Sequence, residues 1–277
     1  MLFGAHVSVA GGIQNAPLNA AAVGCEVFQI FTRSPQGGFV PEMNDQVVNE
    51  FLENCKKYKQ KEWYAHTPFF INFASANPRI KYASISVVRE ELERANKLKA
   101  KYLMTHLGSY KDLGKEKGYL QVVDALAKML TDYKGKTQFL IEISAGSGEI
   151  IGDTFEEIAE IIHHPKLKKY KIGVCFDTQH AFASGYDLRG KEAVEKTFKN
   201  FDKIIGLENL KMSHCNDSLT ELGSHKDRHA HIGQGLVGKS GFEAILQNKK
   251  LKEINFILET EYDQVVEDLK LLKHIRG

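Results

Sequence analysis

Eight short apolar runs recur along this chain, each followed by a longer stretch, and this alternation limits the fold more than any other feature. The runs read MLFGAHV, EVFQIFT, WYAHT, YLMTHLG, QFLIEIS, KIGVCFDTQH, LENLKMSHCND and INFILET. They are short and rich in β-branched and aromatic residues, which predicts strands. Helical periodicity is expected over about Ala16 to Val23, Asn44 to Lys59, Ile80 to Leu98, Gly118 to Leu130, Thr154 to Ile162 and Gly190 to Phe201, and in the final DQVVEDLKLLKHI. Eight strands, seven of them followed by a helical stretch, predict parallel strands joined by helical crossovers. The expected fold is therefore an α/β, (β/α)8 TIM barrel forming one domain over residues 1–277. A doubly wound open sheet is the alternative, but no GxGxxG follows any strand to favour a dinucleotide fold.

The ends of these runs are chemically unusual. His66, His106, Glu142, Asp177, His180, His214 and Glu259 stand at or just beyond them, and Asp227 and His229 lie in the loop after the seventh. In a barrel of this type chemistry gathers at the C-terminal ends of the strands, so the nine would face one mouth. Within DTQH, Asp177 and His180 leave the strand and enter the following turn. A lone histidine at a strand end is ordinarily a hydrogen-bonded structural residue. Carboxylates inside FLIEIS, VCFD and FILET are different, because burial there is costly unless the group is paired or coordinated. Nine such groups exceed the need of one ion and suit two or three. Imidazole nitrogen combined with carboxylate oxygen suits Zn2+ best, with Mn2+ a possible substitute. His163, His164, His225 and His274 are read as structural, His6 as an added contact near the site, and His231 is left unassigned.

Net charge is only +2, so composition alone does not point to nucleic acid. Three dications set against four carboxylates would nevertheless leave the mouth positive enough to attract a phosphodiester. Cys25, Cys55, Cys175 and Cys215 form no CxxC pair and are expected to be reduced thiols of a cytoplasmic protein. Strand alternation is expected to turn Cys175 and Cys215 away from Asp177 and His214. The opening MLFGAHVSVAGG lacks a basic leader, and no apolar stretch approaches membrane-spanning length.

GAHVSVAGG, VFQIFTRSPQ, EISAGSG, GVCFDTQHAFASGYD, SHCNDS, GSHKDRHAHIGQG and LET, in this order over nearly the whole chain, resemble the endonuclease IV family of apurinic/apyrimidinic endonucleases. The resemblance implies a TIM barrel with three zinc ions that cuts DNA 5′ to an abasic residue, leaving a 3′-hydroxyl and a 5′-deoxyribose phosphate, and that also clears blocked 3′ ends. By that pattern His66, His106 and Glu142 hold the first zinc. Glu142 bridges to a second completed by Asp177, His214 and Glu259, while His180, Asp227 and His229 hold the third. Glu142 would orient the attacking water and accept its proton. The expected partner is double-stranded DNA containing abasic sites, bound by a monomer with no membrane association. The loops VSVAGG, TRSPQGG and TPFFINF are candidates for gripping it. His6, Ser8, Arg33, Gln36, Phe69, Asn72 and Arg228 are the candidate contacts, and Phe69 or Phe70 the wedge.

The chain departs from the family pattern at four places. Gln36, Gly37 and Gly38 replace a basic and an aromatic residue, which puts intercalation from that loop in question. EISAGSG stands for ENTAGQG, DTQH for DTCH, and His231 is additional. Two competing readings are a single-metal sugar isomerase or epimerase and a damage-binding protein without catalysis. The first needs only Glu142, Asp177, His214 and Glu259. His66, His106, His180, Asp227 and His229 therefore separate it from the nuclease.

Overall fold

The computed structural model describes residues 1–38 and 40–277. Among them, eight parallel strands close a barrel: β1 (Phe3–His6), β2 (Val27–Phe31), β3 (Trp63–His66), β4 (Tyr102–Thr105), β5 (Gln138–Glu142), β6 (Gly173–Asp177), β7 (Leu210–His214) and β10 (Phe256–Leu258). Closure comes from β10, which pairs with β7 on one side and β1 on the other. A Cβ at Gly4 would collide with the Val27 carbonyl, so only glycine lets β1 and β2 approach there.

The helices lie between the strands: α1 (Ala16–Ala22), α2 (Asp45–Lys57), α3 (Pro78–Lys97), α4 (Lys115–Leu130), α5 (Phe155–Ile162), α6 (Thr178–Ala183), α7 (Lys191–Ile204), α8 (Gly238–Gln247) and α9 (Val265–Arg276). Several start where polar caps dictate. The side chain of Asn44 accepts from Val47 N, that of Asn77 from Arg79 N just before Pro78, and that of Thr154 from Glu157 N. None of the described helices is long and apolar enough to cross a membrane.

Alternation along the strands sorts the core into two parts. Phe28, Ala65, Leu103, Ile141, Phe176 and Leu258 face outward and pack under the helices. Val27, Tyr64, Tyr102, Met104, Leu140, Cys175, Met212 and Ile257 form a separate cluster that fills the barrel interior. Two positions further along each strand stands a polar residue on the same side: Gln29, His66, His106, Glu142, Asp177, His214 and Glu259. The site is thus the next layer of the barrel interior, built by the period of two that builds its core. Cys175 corrects the expectation above. It stands two residues before Asp177, shares its inward side, and pairs in register with Glu142. Cys215, one residue past His214, does face the outer core, and all four cysteines are free and buried.

Three elements were not expected. The turn after Asp177 is the short helix α6, capped by Asp177 itself, whose Oδ1 accepts from His180 N at 2.8 Å. Helix α8 begins at Gly238 and contains Gly241. Strands β8 (Asp217–Ser218) and β9 (His229–Ala230) pair antiparallel beside the barrel mouth. That hairpin is tied by Asp217, which is fully buried and accepts from the backbone amides of Ser218, Gly233, Gly235, Val237 and Gly238. One carboxylate surrounded by so many amide donors organises the glycine-rich chain that follows His229.

Candidate metal centre

Glu142, fully buried at the end of β5, is the hub of the layer. Its Oε2 lies 2.8 Å from His66 Nε2 and 3.6 Å from His106 Nε2. Its Oε1 lies 2.8 Å from His214 Nδ1 and 3.3 Å from His180 Nδ1. His214 Nδ1 also faces Glu259 Oε2 at 3.2 Å and Asp177 Oδ2 at 3.7 Å. Asn216 joins the two carboxylate strands: its Nδ2 donates to Asp177 Oδ2 at 2.7 Å, and its Oδ1 accepts from Glu259 N at 2.8 Å. On the rim, Asp227 bridges two imidazoles, 3.3 Å from His180 Nε2 and 3.2 Å from His229 Nε2.

Three groups can each offer ligand atoms that lie within 4.8 Å of one another. They are His66, His106 and Glu142; Glu142, Asp177, His214 and Glu259; and Asp177, His180 and His229. The first two are the sets expected from the sequence. The third contains Asp177, where Asp227 was expected, and Asp227 reaches the same two histidines from the solvent side.

The hydrogen bonds around the imidazoles favour a cation. His66 Nδ1–H donates to the Thr67 carbonyl, His180 Nδ1–H to that of Ile143, and His229 Nδ1–H to that of Glu259, at 2.7, 3.0 and 3.2 Å. Each neutral ring is then left with its Nε2 lone pair aimed into the site, the arrangement that metal-ligating histidines adopt. The Nε2 atoms of His180 and His229 are buried without any hydrogen-bond partner among the described residues. Lone pairs pointed at carboxylate oxygens repel unless a proton or a metal ion lies between them. The donor set and its orphaned nitrogens therefore fit zinc.

Protons fill that role in the metal-free site. Burial alone would lower His180, but Asp177, Asp227 and Glu142 around it raise it well above the usual imidazole value. His214 is likewise lowered by burial and raised further by Cys175, Glu142 and Glu259, for a net rise. Burial pushes Glu142 up, yet His106, His214 and His180 hold it well below the carboxylate range. Asp227 and Glu259 are also depressed, burial being outweighed by His180 and His229 for the first and by His214 and His6 for the second. His180 and His214 are both held above the ordinary imidazole value, so a metal ion entering there competes with protons. Calorimetric titration of the metal-free protein with Zn2+ at pH 7, in buffers of different ionisation enthalpy, should show net proton release. Heats independent of the buffer would contradict this.

The remaining candidates are dispersed around the mouth. His6 lies beside Glu259, 3.7 Å from its Oε1. Ser8, Gln36 and Arg228 are exposed, and Arg228 Nη1 donates to the Asp227 carbonyl. Phe69 is 71% exposed and rests edge-on against Phe31, with ring centroids 5.2 Å apart. Asn72 packs over Gly108 and accepts from Ala74 N. Arg33 departs from the expected DNA contact: it is buried and ion-paired with Glu90 and Glu91 of α3. Its charge is neutralised inside the protein, and nothing in the motif TRSPQ announced α3's acids as its partners. His231, unassigned from sequence, binds Asp268 of α9 through Nδ1 at 2.8 Å and Asp263 through Nε2 at 3.2 Å, so it fastens the loop after His229. Sequence reasoning missed Asn216 and Ser144, whose Oγ lies 3.2 Å from His106 Nδ1. Their only signal was position, two residues beyond a ligand.

Known proteins share this architecture. The family described as xylose isomerase-like TIM barrel matches residues 18–275. A probable endonuclease 4 of Halothermothrix orenii is 37% identical over 100% of this chain and 99% of its own length. That of Nitrosopumilus maritimus is 37% identical over 99% and 98%. The crystal structure of endonuclease IV from Thermus thermophilus superposes with a TM-score of 0.87 at 29% identity, covering 99% of this chain and 98% of that one. A D-tagatose 3-epimerase-like protein superposes with a TM-score of 0.74 at 21% identity, covering 99% and 97%, a likeness of fold alone. Near-full-length identity to the endonucleases, on a barrel that carries the histidine and carboxylate layer just described, makes this chain a nuclease of the endonuclease IV family.

Proposed function

We propose that the chain is a zinc-dependent AP endonuclease of base excision repair. It would hydrolyse the phosphodiester 5′ to an abasic site in duplex DNA, leave a 3′-hydroxyl and a 5′-deoxyribose phosphate, and trim blocked 3′ ends at the same centre. The reading takes the protein as one domain over residues 1–277, acting as a cytoplasmic monomer with three zinc ions that Mn2+ can replace. The observation that carries it is the convergence of His66, His106, His180, His214 and His229 with Glu142, Asp177, Asp227 and Glu259 at one mouth of the barrel.

Bound zinc supplies positive charge for a reacting phosphate and acidity for water near neutral pH. His66, His106 and Glu142 would hold one ion, and Glu142, Asp177, His214 and Glu259 a second. His180 and His229 would hold a third with Asp227 or Asp177. Glu142 lies at the centre of the layer, where its carboxylate orients the attacking water and takes up its proton. His106 and Asp227, the more exposed of the ligands, border the face open to DNA, with side chains 29% and 51% accessible. Phe69 stands free as the wedge that enters the base stack, and an abasic step resists such unstacking least. Arg228 adds a cation on the rim.

A duplex carrying one tetrahydrofuran abasic analogue, incubated with zinc-replete protein, should be nicked on the 5′ side of the analogue, while an intact duplex is spared. No nick, together with turnover of a ketose, would instead identify a sugar epimerase. Binding of the analogue with no strand cleavage would identify a damage-binding protein.

A further inference from the structure

Gln29 of β2 lies in the same interior layer as the metal-binding groups but cannot titrate, and it is fully buried. Its amide touches three of them. Nε2 lies 2.7 Å from Glu259 Oε1 and 3.0 Å from His6 Nδ1, and Oε1 lies 2.8 Å from His214 Nε2. A carboxylate only accepts hydrogen bonds, so the amide end facing Glu259 must be the NH2 group. That choice settles the rest. The amide oxygen faces His214 Nε2, which must therefore carry a hydrogen. The second amide hydrogen faces His6 Nδ1, which must therefore be the bare nitrogen.

We propose that Gln29 is a positioning residue that sets two imidazole tautomers at once, leaving the Nδ1 lone pair of His214 for a metal ion and the Nε2–H of His6 as a neutral donor to a DNA phosphate oxygen. This rests on the zinc-nuclease reading given above. His214 Nδ1 is the nitrogen that faces Glu142, Glu259 and Asp177, so the tautomer Gln29 imposes is the one that can coordinate there. His6 is held by Gln29 on one side and by Phe31 on the other, with ring centroids 4.2 Å apart. It also lines a cavity of about 640 Å3 between the loops after β1 and β2. No described residue hydrogen-bonds its Nε2. A neutral donor at that place binds a phosphate oxygen without adding a charge to compete with the metal ions. Groups that orient metal ligands in this way are typically worth about 10- to 100-fold in metal affinity.

The test is made on the zinc-loaded protein with 15N-labelled histidine, using long-range 1H–15N spectra with His6 assigned through its Asn variant. His214 should appear protonated at Nε2 and metal-bound at Nδ1, and His6 protonated at Nε2. Gln29→Glu keeps an acceptor for His214, and the one proton it must share with Glu259 at this distance leaves no hydrogen for His6, so His6 should switch to its Nδ1–H form while His214 stays as it was. Gln29→Met, which fills the space without hydrogen bonds, should weaken the most sensitive zinc site about 10- to 100-fold in competition with a chelator. A wild-type His6 protonated at Nδ1, or a Glu variant whose His6 does not switch, would overturn the proposal even if the Met variant fails to fold. Zinc content of the wild type is read separately. A protein that binds no zinc defeats the nuclease reading, whereas one with three ions and unaltered affinity after Gln29→Met defeats this inference alone.

Discussion

Glu142→Gln should lower cleavage of abasic duplex by about a thousandfold or more, the scale on which enzymes lose rate when a central electrostatic group is removed. Both oxygens of Glu142 face imidazole nitrogens, those of His66, His106, His214 and His180, and Glu142 is shared between the two ligand groups that hold His66 and His214. An amide in its place keeps the volume but replaces one acceptor with an NH2 that cannot coordinate or accept a proton. Affinity for the tetrahydrofuran duplex should stay within a few-fold, because Phe69 and Arg228 lie on the rim and do not depend on Glu142. Gel-shift and single-turnover measurements on one preparation would separate the two effects. Cleavage within about tenfold of wild type would remove Glu142 from the reaction.

Stripping the metal should cost stability as well as activity. An ion that binds only the folded chain stabilises it by about 2.7 kcal/mol when its free concentration is a hundred times its Kd. The three sites proposed above, at about 2 °C per kcal/mol for a chain of this size, would make the melting temperature roughly 15 °C lower after chelation. The loss should also depend on pH. His180 and His214 have raised values in the metal-free fold, so their protonation stabilises it fully below about pH 6.5, their unfolded value. That contribution disappears as pH rises through the folded values. Melting curves of zinc-loaded and chelated protein should therefore diverge as pH rises above about 6.5. Identical curves at every pH would mean that no metal is held in this layer.

The barrel and its inner layer were legible because they obey short-range rules. A strand with a carboxylate two residues beyond its last interior apolar side chain shows its function in the sequence, as Leu140 to Glu142 and Ile257 to Glu259 do. The missed parts obey other rules. Every residue of α6 is buried, so it shows no amphipathic period. Helix α8 carries two glycines and reads as a turn. The pairing of β8 with β9 depends on Asp217 capturing amides from residues well beyond it in the chain, which no local window contains. The fate of Arg33 had the same cause, since Glu90 and Glu91 are distant in sequence. Cys175 was misread for a simpler reason: a separation of two along a strand returns to the same face.

Because β10 is the strand that joins β7 to β1, the order in which ligands emerge from a ribosome has consequences. A nascent chain that has reached Glu142 already carries every member of the His66, His106 and Glu142 group, yet its strands still have an open edge. The group completed by Glu259 cannot exist until the last strand slots into place. An ion captured early would sit on a half-built wall, where it could pin the growing sheet or be lost to competing thiols. On the metal reading proposed above, the second ion's site is complete only once the barrel closes, and scarcity of metal during synthesis is expected to slow folding as well as reduce activity.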